Sequence, residues 1–104
     1  MGQNEAVELH LRCRVLPGRR EAFLAFLRGA IPFYESPGGI EVRVLQEGSD
    51  DHRFIELVRY ADETAFARDQ ERVERAPEMR AYLERWRALL AEPAVVEVYR
   101  RVGV

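Results

Sequence analysis

Glu56 and Tyr60 stand four residues apart in "RFIELVRYA". That run is rich in β-branched, aromatic and aliphatic residues, so it reads as a strand, and both side chains then share one face with Val58. A carboxylate among apolar groups resists ionisation and can take a proton from a bound substrate near neutral pH. That is the catalytic use of Glu56 if this face borders a cavity. The plainer expectation, and the one the sequence favours, is an ion pair from Glu56 to an arginine of a neighbouring strand or a second subunit, because structural pairs perturb carboxylates too. Tyr82 and Trp86 lie one helical turn apart and suit either a cavity wall or ordinary core packing. Tyr34 could roof the same space or anchor a helix end, and Gln70 could offer a polar contact or be solvated.

Other reactive side chains form no constellation. Cys13 falls on the apolar face of its strand and reads as an inert buried thiol. It is the single cysteine, which excludes a disulfide framework. His10 and His52 do not converge, and a metal site needs several converging ligands, so no metal is expected. The glycines of "SPGG" have neither GxGxxG nor P-loop spacing. They read as a reversal that aims a strand, with freedom for positive φ.

The elements that must position these residues follow from periodicity. "AVELHLRCRV" alternates, with Val7, Leu9, Leu11, Cys13 and Val15 on one face and Glu8, His10, Arg12 and Arg14 on the other. Phe23, Phe26, Leu27, Ala30 and Tyr34 make a helical stripe, which Pro32 is expected to kink or end. "IEVRVLQE" alternates again, "GSDD" is the expected hairpin loop with His52 at the surface, and "RFIELVRYA" is apolar on both faces and therefore central. Asp62 suits an N-cap for "ETAFARDQERVER", whose expected anchors are Phe66 and Val73. Pro77 suits a first helical position, and Met79, Tyr82, Leu83, Trp86 and Leu90 share a face of the helix it opens. "AVVEVYRRV" is the last strand. The order β-α-β-β-α-β, with the second helix broken near Ala76, predicts a ferredoxin-like α+β fold with a four-stranded antiparallel sheet and helices on one face.

The 104 residues suit one domain over 1–104. Hydrophobic residues make up 47% and charged residues 33%, which fits a soluble globular chain, and the net charge of −2 argues against a nucleic-acid footprint. All sixteen basic residues are arginine. No apolar run approaches the roughly 20 residues that span a membrane, and "MGQNEAVE" has no leader pattern, so the cytoplasm is the expected compartment. Gly2 lacks the Ser or Thr that myristoylation needs, since Ala6 stands there. Helices on one sheet face leave the other open, carrying Glu8, His10, Arg12 and Arg14, apolar groups of the third strand, and either Glu97, Tyr99 and Arg101 or Val96, Val98 and Arg100 of the last. Open apolar groups and two unpaired edges predict a homodimer through that face and those edges, with Ile40 to Glu47 bordering the partner.

Taken in order, "V.PGRREAFLAF", "SPGGIEVRVLQ", "FIELVRYADETAFARDQE" and "VVEVYRRV" resemble the dimeric α+β barrel superfamily, in particular its antibiotic-biosynthesis-monooxygenase-like domains, over nearly the whole chain. The resemblance implies a ligand cavity between sheet and helices in each protomer, with Tyr60 in the place of the aromatic, often Trp, that ends the third strand. Haem-degrading members use an Asn on the first strand and a His on the later helix. Leu11 stands near the first position and no His near the second, so haem degradation is not expected. The resemblance implies cofactor-independent oxidation of a small aromatic or quinone-type substrate, with Glu56 and Tyr60 as catalytic candidates and Leu11, Tyr34, Gln70, Tyr82 and Trp86 as cavity candidates. The alternative is a non-catalytic ligand-binding or stress-response dimer. A third is an isomerase or lyase on the same scaffold.

Overall fold

Alternation and helical stripes become seven elements in the computed structural model, which describes residues 5–104; Gly2 lies outside them. They are β1 (Val7–Arg14), α1 (Arg20–Glu35), β2 (Ile40–Glu47), β3 (Asp50–Tyr60), α2 (Glu63–Arg75), α3 (Pro77–Arg87) and β4 (Val95–Arg100). The sheet order is β2-β3-β1-β4, with every neighbouring pair antiparallel, so the two central strands are β1 and β3. This is the ferredoxin-like arrangement. Phe23 and Leu27 of α1 and Trp86 of α3 bury against Cys13 and Phe54 of the sheet in the larger core cluster. A smaller cluster joins Val7, Tyr60 and Ala65. Among the described residues, no helix is long and apolar enough to cross a membrane.

Register decides which residues share a face. His10 lies opposite Leu57 on one side and Glu97 on the other, and Glu8 lies opposite Tyr99. Directly opposed residues face the same way. The open face therefore carries Ile55, Leu57, Glu97 and Tyr99, while Val96 and Val98 turn toward the helix side. On the helix side β3 presents Phe54, Glu56, Val58 and Tyr60. His10 stacks against Tyr99 at 4.5 Å between ring centroids and lies 3.3 Å from Glu8 Oε1.

Three local expectations need correction and one is narrowed. Of the two effects expected of Pro32, ending the helix is excluded, because α1 runs on to Glu35. The next amide, that of Ser36, bonds back only three residues to the Phe33 carbonyl at 3.2 Å, which tightens the end. The β2–β3 hairpin needs only Gly48 and Ser49 between its strands, because Glu47 pairs with Asp50. His52 therefore sits on β3, half-buried, with Nδ1 at 2.8 Å from Asp51 Oδ1 and Nε2 buried without a partner. The anchors of α2 are Ala65 and Asp69, whereas Phe66 and Val73 are only partly buried. Asp62 caps α2 through Oδ1, which accepts the Ala65 amide at 2.8 Å.

Candidate functional site

The helix-facing sides of β1, β2 and β3 do not close fully against the helices. They leave a cavity of about 90 Å³, floored by Leu9 and Leu11 of β1, Ile40 and Val42 of β2, and Glu56, Val58 and Tyr60 of β3. Tyr34 enters from the end of α1, Asp69 from α2, and Met79, Leu83 and Trp86 from α3. The lining is apolar except for two carboxylates and two tyrosine hydroxyls. A small-ligand site usually offers roughly 300 Å³ or more, so this space holds several waters or one small ring.

Glu56 is 4% exposed. Its Oε2 accepts from Trp86 Nε1 at 2.6 Å and from the Cys13 thiol at 3.6 Å. Its Oε1 has no hydrogen-bond partner among the described residues, and the residue lines the cavity. An ion pair to a neighbouring strand does not form: among the described residues no arginine reaches Glu56, because its cross-strand neighbours are Leu11 and Val44. Burial pushes the carboxyl up to about 7, and the bonds from Trp86 and Cys13 hold that rise in check. Burial and the nearby Glu56 charge push the Cys13 thiol well above its usual range, which disfavours the reactive thiolate.

A second network occupies the other end of the cavity. The Tyr60 hydroxyl donates to Asp69 Oδ2 at 2.6 Å. Asp69 Oδ1 accepts from Arg72 Nε at 3.1 Å and lies 3.0 Å from Nη2. Arg72 also donates to the carbonyls of Phe33 and Tyr34, at 3.2 and 2.7 Å. One guanidinium thus ties α2 to the end of α1. Burial, then the Asp69 bond, hold the Tyr60 hydroxyl protonated far above its ordinary range. Burial does the same for Tyr34, with the Glu56 charge adding to it.

Glu56, Tyr60, Leu11, Tyr34 and Trp86 therefore meet at one cavity. Tyr82 does not line it. Its ring stacks on Phe33 at 4.5 Å and meets Tyr34 edge-on at 5.9 Å, in an aromatic cluster beside the cavity; Leu83, one residue on, takes the lining position. Gln70 does not line it either, because α2 sends in the preceding residue, Asp69. Asp69 and Arg72 are what the sequence reading missed. The available signal was the four-residue spacing from Ala65, which places Asp69 on the buried face of the helix. Asp50, Asp51 and His52 present ligand atoms within 4.8 Å of one another at the hairpin. Their groups already serve local contacts: Asp50 faces Arg14 and Arg53, and Asp51 faces His52.

These features define a ferredoxin-like α+β protein whose interior cavity holds a desolvated carboxylate. The family description of antibiotic biosynthesis monooxygenases matches residues 6–85, and the chain belongs to that family. No curated protein matches it in sequence. Among solved structures it is similar to a conserved protein from Methanosarcina mazei, with 15% identity, 97% of each chain covered and a TM-score of 0.81. It is also similar to SnoaB, a cofactor-independent oxygenase from Streptomyces nogalater, with 18% identity, 96% of each chain covered and a TM-score of 0.78. A conserved protein of unknown function from Bacteroides thetaiotaomicron matches at 13% identity and a TM-score of 0.75, with 94% of this chain and 99% of that one covered. At these identities the likeness concerns the fold.

Proposed function

We propose that the cavity binds a small electron-rich aromatic, a phenol or hydroquinone, and that the chain oxidises it with molecular oxygen and no bound cofactor. The observation that carries this is Glu56: a carboxylate 4% exposed, in an apolar cavity, with one oxygen held by Trp86 and Cys13 and the other free toward the cavity. A carboxyl raised to about 7 is poised to accept a phenolic proton at neutral pH. The phenolate gives electrons to oxygen. One oxygen atom bonds to a ring carbon that loses its hydrogen, and the other leaves as water with that hydrogen and the phenolic one, giving a quinone. Tyr60 remains protonated and engaged with Asp69, so its role is to shape and polarise the wall rather than to trade protons. Tyr34, Leu11 and Trp86 clasp the ring.

Oxygen uptake with single-ring hydroquinones tests this, comparing the parent with Glu56→Gln. A loss of about 10²-fold or more in the variant is expected of a removed general base; an unchanged rate removes Glu56 from the mechanism. The second reading, a non-catalytic binding domain, draws on the small volume of the cavity, about 90 Å³. Ligand binding without oxygen uptake favours it.

The protein is further proposed to act as a homodimer through its open sheet face and edge strands. On that face Leu45, Val95 and Tyr99 are 49%, 53% and 45% exposed, next to Ile55 and Leu57 and among charges of both signs. β2 and β4 are unpaired edges. Apolar groups interleaved with opposite charges suit a self-complementary two-fold contact. A monomeric mass by light scattering at micromolar concentration overturns this.

A further inference from the structure

Three arginines of α2 share a face. Arg68, Arg72 and Arg75 fall at i, i+4 and i+7. They line a groove of about 390 Å³ whose opposite wall is Pro37 and Ile40, at the turn that delivers β2. That turn approaches α2 closely: a methyl group added at Gly39 would sit 3.4 Å from the Ala65 Cβ. Ile40 and Asp69 line both this groove and the interior cavity, so the two spaces adjoin at these side chains.

The charges of the groove are unevenly used. Arg72 is committed to Asp69 and to two carbonyls of α1. Asp69 is in turn neutralised by Arg72 and bonded by Tyr60. Arg75 has only Glu71, at 3.9 Å, and both are largely exposed. Arg68 makes no hydrogen bond, ion pair or ring contact among the described residues. A chain of net charge −2 thus presents beside its cavity one unpaired cation, Arg68, and one only loosely paired, Arg75, whose partner Glu71 lines the same groove. The cavity itself holds no more than one ring, so a ligand of ordinary size has to extend out of it.

We propose that the ligand is a one-ring phenol bearing an anionic arm, with the ring in the cavity and the arm passing Ile40 and Asp69 to Arg68 and Arg75. This rests on the reading of the cavity as a site for an aromatic ring. Lengths fit. Glu56 and Tyr60 are separated by about 13 Å of strand. A ring with its hydroxyl at Glu56 covers about half of that, and an arm of a few methylenes carries a carboxylate to the groove.

The test is calorimetric titration with para-cresol, with para-hydroxyphenyl alkanoates of increasing chain length, and with their methyl esters. The parent is compared with the Arg68→Gln, Arg75→Gln double variant, whose two changes fall on exposed side chains. Para-cresol binds both proteins equally. In the parent, one chain length of the acid binds about two- to fivefold tighter than its ester, in line with solvent-accessible ion pairs. That advantage disappears in the double variant and shrinks in high salt. If para-cresol binds but acid and ester are equal in the parent, or the advantage survives in the double variant, the anionic arm is refuted and the aromatic site stands. If no phenol binds at all, the aromatic reading fails and this proposal fails with it.

Discussion

Glu56→Gln isolates the cost of keeping a carboxyl inside the protein. The side chain is 4% exposed, and its carboxyl is raised from the ordinary 4.5 to about 7. Between those two values the folded protein holds a proton that the unfolded chain has released. The contribution is therefore fully present below pH 4.5, declines as pH rises, and is gone above about pH 7. At about 1.4 kcal/mol for each tenfold change, the interval corresponds to about 3 kcal/mol. Glutamine keeps the shape and an amide oxygen that accepts from Trp86 Nε1, but does not titrate. Urea unfolding followed by the single tryptophan, at fixed protein concentration and several pH values from 4.5 to 8, gives the stability difference between parent and variant. The parent is expected to lose about 3 kcal/mol relative to the variant across that range, so the variant gains its advantage on the alkaline side. Parallel pH profiles would show that Glu56 titrates as an ordinary surface acid, and the desolvation argument for it as a base would fall.

Two further substitutions follow from the same contacts. Trp86→Phe removes the 2.6 Å bond that favours the ionised form of Glu56. The pH-dependent stability difference should then shift to higher pH, with a loss of about 1–3 kcal/mol in urea unfolding followed by circular dichroism, since this variant has no tryptophan; an unmoved midpoint would mean the indole does not tune the acid. Asp69→Ala leaves the Arg72 guanidinium, 16% exposed, without its carboxylate and the Tyr60 hydroxyl without its acceptor. It should cost roughly 3–5 kcal/mol, and Asp69→Asn clearly less, because an amide oxygen still accepts from Tyr60. Equal costs for the two would show that the charge of Asp69 matters little.

Much of the fold was legible because it is local. The alternation of Val7 to Val15 named the buried face of β1, the stripe Phe23, Phe26, Leu27 and Ala30 is the buried stripe of α1, Asp62 is the cap of α2, and Pro77 opens α3. Each of these depends on a residue and its near neighbours along the chain. The resemblance carried by the turn and strand motifs led to the family that matches residues 6–85. What depends on partners arriving from elsewhere was not legible. The last strand had two permissible faces until its pairing with β1 put Glu97 beside His10 and sent Val96 and Val98 to the other side. Gln70 and Asp69 are one residue apart, but on a helix that is a rotation of about 100°, and only the packing of α2 on the sheet chose Asp69. Glu56 was expected to meet an arginine; the register gave it Leu11 and Val44, and α3 brought it an indole. Sequence periodicity says which side of an element is buried. The distant groups that meet there, and hence the chemistry of this cavity, were set by the register and helix packing that the tertiary structure alone fixes.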